Sequence, residues 1–102
     1  MIAHEAKVIF QQKDAVGRWL AEHAGCEFVR LDIKPGGVIG SHSLDVPVTF
    51  YVMSGRGELY LEGQKEQVFA GDLVTVRPGT ERMWRNEGHD DMTVLVIKHI
   101  GE

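Results

Sequence analysis

The sequence predicts an all-β domain, a closed barrel or a sandwich, on three observations. Its apolar runs are short, about four to seven residues; several alternate with a period of two; and Gly and Pro punctuate them singly or in pairs. No internal repeat, low-complexity stretch or linker interrupts the 102 residues, so one domain over 1–102 is expected.

Lys7-Val8-Ile9-Phe10 is a short β-prone run, followed by a polar break at Gln11 to Asp14. Val16 to His23 is ambiguous. Val16, Trp19, Leu20 and His23 fit a helical stripe, whereas Arg18 to Glu22 reads as a short strand ended by Ala24-Gly25; the strand is favoured. From Cys26 onward, Phe28, Arg30, Asp32 and Lys34 alternate against Val29, Leu31 and Ile33 until Pro35-Gly36-Gly37 stops the run. Val48 to Met53 is β-branched and aromatic, Ser54-Gly55-Arg56-Gly57 is a turn, and Glu58 to Glu62 alternates with both glutamates and Tyr60 on one face. That pair reads as a hairpin. Gln67 to Phe69, Leu73 to Val76 and a last long strand from Thr93 to Lys98 repeat the scheme, the last after a polar loop from Asn86 to Asp91.

Eleven Lys and Arg stand against fifteen Asp and Glu, a formal charge of −4, with no basic cluster of the kind a phosphate backbone needs. No nucleic acid partner is expected. No apolar run approaches the roughly 20 residues that cross a bilayer, and the N-terminal residues do not read as a signal peptide. The expectation is a cytoplasmic protein with no membrane partner. Cys26 is the only cysteine, which excludes an intrachain disulfide and a cysteine zinc cage, and it is expected to be a small buried hydrophobe.

The segment from Gly36 to Asn86 resembles the cupin superfamily, whose two motifs lie on this chain without a gap. Motif 1 (36–57) falls on Gly36, His42, Leu44, Val48 and Gly55; motif 2 (71–86) falls on Gly71, Arg77, Gly79, Arg82 and Asn86, with Pro78 one place late. The resemblance implies a double-stranded β-helix, or jelly-roll, cupin barrel that is a homodimer. It also implies a metal held by two histidines and a glutamate of the first motif and a histidine of the second. Here those positions hold His42, Leu44, Val48 and Arg82. One imidazole beside a permanent cation repels a divalent ion at short range, so no metal and no cofactor are expected.

Alternation along barrel strands should turn Val48, Phe50 and Val52 inward, with Arg82 and Trp84 on another strand and His42 and Leu44 nearby. An unpaired Arg in such a pocket is costly to desolvate. It must pair with an acid such as Glu58, Glu62 or Asp72, reach solvent, or meet an anionic ligand. The function expected is binding of a small molecule, anionic near Arg82, with His42, Leu44, Val48, Phe50, Tyr51 and Trp84 completing the ligand site and Met53 adding apolar surface. A metal-free isomerase or epimerase is the catalytic alternative, with His42 as base, Tyr51 or Tyr60 as acid and Arg82 stabilising negative charge. A metal-dependent dioxygenase or isomerase with other ligands is the remaining one. His89, Asp90 and Asp91 read as a solvated loop rather than a surface metal site, and His4, His23 and His99 carry little signal.

Overall fold

A computed structural model of the chain describes residues 1–101, and ten β-strands with no helix make up its regular structure. They are β1 Lys7–Gln12, β2 Ala15–His23, β3 Cys26–Ile33, β4 Val38–His42, β5 Val48–Ser54, β6 Arg56–Leu61, β7 Gln64–Phe69, β8 Leu73–Val76, β9 Arg82–Arg85 and β10 Met92–His99. All pairings are antiparallel, in a six-stranded sheet ordered β1-β2-β3-β10-β5-β8 and a four-stranded sheet ordered β4-β9-β6-β7. The two sheets face each other as a double-stranded β-helix.

The alternation visible in the sequence builds the core. Val29, Leu31 and Ile33 of β3, Val48, Phe50 and Val52 of β5, and Met92, Val94 and Val96 of β10 point inward from the larger sheet. They meet Ile39, Leu59, Val68 and Trp84 from the smaller one. Each such side chain, fully buried, stabilises the fold by about 1.5–3 kcal/mol before chain entropy is subtracted. Asn86 locks the end of β9 to the end of β3. Wholly buried, it donates from Nδ2 to the Ile33 carbonyl at 2.8 Å and the Asp90 carbonyl at 2.9 Å, and accepts from the Gly88 amide at 2.9 Å.

Three expectations need correction. The hairpin of Val48–Met53 with Glu58–Glu62 does not form: β5 pairs with β10 and β8, while β6 pairs with β7 and β9. The chain turns a corner between sheets at Gly55, whose φ of +77° and close approach to the Asp91 carbonyl leave no room for a Cβ. Secondly, Gln11 and Gln12 are not a break, because β1 is an edge strand that exposes them and the turn is Lys13-Asp14. Lastly, Cys26 is only half-buried, with Sγ 3.7 Å from His99 Nδ1, whose Nε2 stands 2.9 Å from Thr49 Oγ1. The strand favoured for the ambiguous segment is borne out and runs from Ala15 to His23; its register shifts between Trp19 and Ala21, which interrupts the period of two and mimics a helical stripe.

The short β4 escaped the sequence reading because only one of its five residues is buried, and the first half of β7 because it is exposed and polar. No helix of the described residues is long and apolar enough to cross a membrane.

Candidate functional site

Arg82 and Trp84 occupy alternate positions of β9, opposite Leu61 and Leu59 of β6, so both enter the barrel. Trp84 is 1% exposed and Arg82 2%. The guanidinium has little company for a buried cation: Nη1 donates to the Thr80 carbonyl at 3.3 Å, and Nε has no hydrogen-bond partner among the described residues. Its central carbon lies 5.6 Å from the centroid of the Phe50 ring, a cation–π contact, and Phe50 meets Trp84 edge-on at 5.1 Å and 85°. Burial pushes the Arg82 pKa down, the sign expected where desolvation is not answered by an opposite charge.

None of the three acids considered as partners takes up that charge. The Glu58 carboxylate faces the outside of the smaller sheet, where Lys65 Nζ lies 2.7 Å away and Tyr60 and Gln67 donate to it. The Lys65 contact holds the Glu58 carboxyl below its ordinary value and raises Lys65 in turn. Glu62 accepts from the Glu81 amide, and Asp72 accepts from the Phe69 amide at 2.8 Å. Nor does Arg82 snorkel to solvent.

An extra residue in β4 between Ile39 and His42 brings His42 opposite Arg82, a bulge that turns the imidazole to the barrel side of the rim. His42 Nδ1 lies 3.1 Å from the Gly40 carbonyl, which can only accept, so Nδ1 carries the proton and Nε2 of the neutral ring is an acceptor.

These side chains enclose a cavity of about 170 Å³ at the end of the barrel. His42, Leu44, Phe50, Arg82 and Trp84 all line it. Val48, 1% exposed, lies in the packed core rather than on the wall. Tyr51 lies outside the cavity: it pairs with Leu73 and Leu95 on the outer face of the larger sheet and is 40% exposed. Met53 shares that face and is also exposed. Tyr60 donates to Glu58 on the outer face of the smaller sheet, so neither tyrosine can act as an acid beside His42.

The sequence reading missed Ile9 and Phe10 of β1, Ile39 of β4 and Lys98 of β10 on the cavity wall. Lys98 was legible in principle, two residues beyond Val96 in the inward phase of β10. Phe10 was not, because its place depends on β1 folding over Gly17, whose missing side chain leaves room for the ring. Among the described residues, no three His, Cys, Asp or Glu side chains stand close enough together to hold a metal ion.

Comparison with known proteins bears on the whole barrel. A family model described as a cupin domain matches residues 29–98. An uncharacterized protein of Aquifex aeolicus (strain VF5) is 44% identical over 49 residues, which are 48% of this chain and 39% of that protein, so the match spans well under half of that relative's length. Among solved structures, a predicted oxalate decarboxylase from Thermotoga maritima superposes with a TM-score of 0.82 at 19% identity, covering 98% of this chain and 99% of that one. KdgF from Halomonas sp. does so with a TM-score of 0.78 at 18% identity, covering 94% and 86%. The polyketide cyclase RemF from Streptomyces resistomycificus gives 0.79 at 19% identity, covering 92% and 73%. At these identities the likeness shows the fold.

Proposed function

The chain belongs to the cupin domain family, and from that premise we propose that its barrel binds a small anionic molecule at Arg82 without a metal centre. One observation carries the reading. Arg82, 2% exposed, with Nε unpartnered and no carboxylate beside it among the described residues, lines a cavity walled mostly by apolar side chains, with His42 and Lys98 as its other polar groups. A buried cation left unpaired costs several kcal/mol, and an anion with an apolar body offsets that beside a wall to which Phe50 and Trp84 contribute.

The donor set does not fit the divalent ion that the family resemblance implies. His42 offers one nitrogen, Leu44 and Val48 offer none, and Arg82 is a cation at the fourth position. No step of the proposed activity runs through a metal. Proteins of this fold serve many unrelated functions, so the residues rather than the fold carry the reading.

The test is a thermal-shift titration with benzoate and butyrate on the natural chain and on Arg82→Met. The natural chain should be stabilised by the acids and the variant should not. Elemental analysis of protein purified without chelator should find transition metal far below one per chain. Stoichiometric metal, or equal stabilisation of both proteins by the acids, contradicts the proposal.

The proposal extends to a homodimer in the cytoplasm. Tyr51, Leu73 and Met53 leave 40%, 63% and 51% of their surface exposed on or beside the outer face of the larger sheet, an apolar area suited to a second copy. Light scattering at micromolar concentration should give twice the chain mass, and a monomer contradicts this part.

A further inference from the structure

The barrel cavity holds a second cation. Met92, Val94 and Val96 of β10 all point into the core, and Lys98 continues that phase onto the cavity wall. It comes from the larger sheet, facing Arg82 on the smaller one, with packed sheets about 10 Å apart. Both side chains are long enough to converge from opposite walls. Lys98 makes no ion pair among the described residues. The acid opposite it in register is Glu27 of β3, whose Oε2 accepts from Trp19 Nε1 at 3.3 Å and which does not line the cavity. Among the described residues, no Asp or Glu lines the cavity. His42, the third nitrogen group there, is an acceptor in its neutral form.

We infer that the ligand is a small dianion, a dicarboxylate or a phosphate group, with one negative charge met by Arg82 and the second by Lys98. This rests on the anion-binding reading above and names the ligand class within it. Two cations on facing walls, with no ion-pair partner and no acid between them among the described residues, are neutralised by two negative charges and only half answered by one. Size is consistent with a small ligand. A cavity of about 170 Å³ is close to the roughly 150 Å³ that holds a benzene molecule, so a four-carbon diacid or inorganic phosphate fits within it. Lys98 is half-buried, so its selectivity should be moderate and salt-sensitive.

The experiment is calorimetric titration at about pH 8, where both carboxyls of succinate are ionised, with succinate, inorganic phosphate and butyrate at matched ionic strength. Succinate and butyrate share a carbon skeleton length and differ in the second carboxylate. The natural chain should bind succinate about tenfold more tightly than butyrate, and Lys98→Met should bring that ratio close to one while retaining butyrate. Phosphate tighter than succinate would identify the dianion as a single phosphate group, and the reverse as a dicarboxylate. An unchanged succinate-to-butyrate ratio in Lys98→Met, or butyrate preferred by the natural chain, overturns the dianion inference and leaves anion binding standing. Failure of all three probes to bind the natural chain overturns both.

Discussion

Replacing Arg82 by Met should make the ligand-free protein more stable. Arg82 is 2% exposed, and its charge is met only by one carbonyl at 3.3 Å and by the Phe50 face. A hydrogen bond from a charged group contributes about 1.5–3 kcal/mol at good geometry, less at this length, and a desolvated cation–π contact contributes about 2 kcal/mol. Together they do not offset the several kcal/mol that burying a lone cation costs. Met is unbranched and adaptable in shape, and although shorter than Arg it keeps apolar contact along the stem without leaving a charge. Hydrophobic replacement of buried charges elsewhere stabilises by about 1–4 kcal/mol. A gain of about 1–2 kcal/mol is expected here, a rise in Tm of roughly 5–15 °C for a domain of this size. The assay is urea unfolding followed by Trp fluorescence, beside a thermal melt, with no added anion. A loss of more than about 1 kcal/mol would show that Arg82 holds the barrel together and would refute the reasoning.

Asn86→Ala removes two donors and one acceptor from a site with no solvent, leaving the Ile33 and Asp90 carbonyls unmet, and should cost about 2–4 kcal/mol by urea unfolding. Gly17→Val places a side chain where the Phe10 ring lies, so β1 should detach; amide hydrogen exchange should show β1 unprotected while β3 and β10 stay protected. The Glu58 carboxyl is depressed below its ordinary 4.5 by Lys65, so its contribution is complete above that value and is lost as pH falls through the lower folded value. Glu58→Gln should therefore flatten the acid limb of stability against pH, measured by melts between about pH 2 and pH 6. Lys65 is raised above its ordinary 10.5, so the same pair holds from neutral pH up to that value and weakens only as pH rises through the higher folded one.

The fold was legible where one face of a strand is buried. β3 from Val29, β5 to Val52 and β10 to Val96 alternate, and their inward residues are the ones that build the core. The motif spacing also places Gly55, Arg82 and Asn86 at positions whose local physics is now explicit: a left-handed corner, an inward strand position and a buried amide tying two strand ends. What the sequence could not supply was partnership between distant strands. The period of two says that β5 and β6 are strands, but not that β5 pairs with β10, 44 residues onward from Val48 to Met92, while β6 leaves for the other sheet. For the same reason Phe10 on the cavity wall was invisible, since only the β1–β2 pairing over Gly17 carries it there. Tyr51 illustrates the converse: its parity already placed it opposite Val48 and Phe50, and the structure puts it on the outer face.

The Nε–H of Arg82 offers the most direct view of the binding claim. Buried and without an acceptor, it should exchange slowly enough to be seen as a guanidinium cross-peak in ¹H–¹⁵N spectra. Titrating succinate into the labelled protein should move that proton strongly downfield as it gains a carboxylate acceptor, with the peak absent in Arg82→Met. A resonance that stays in place at saturating anion, while other peaks respond, would mean that the anion binds elsewhere and that the barrel cation has no ligand to meet.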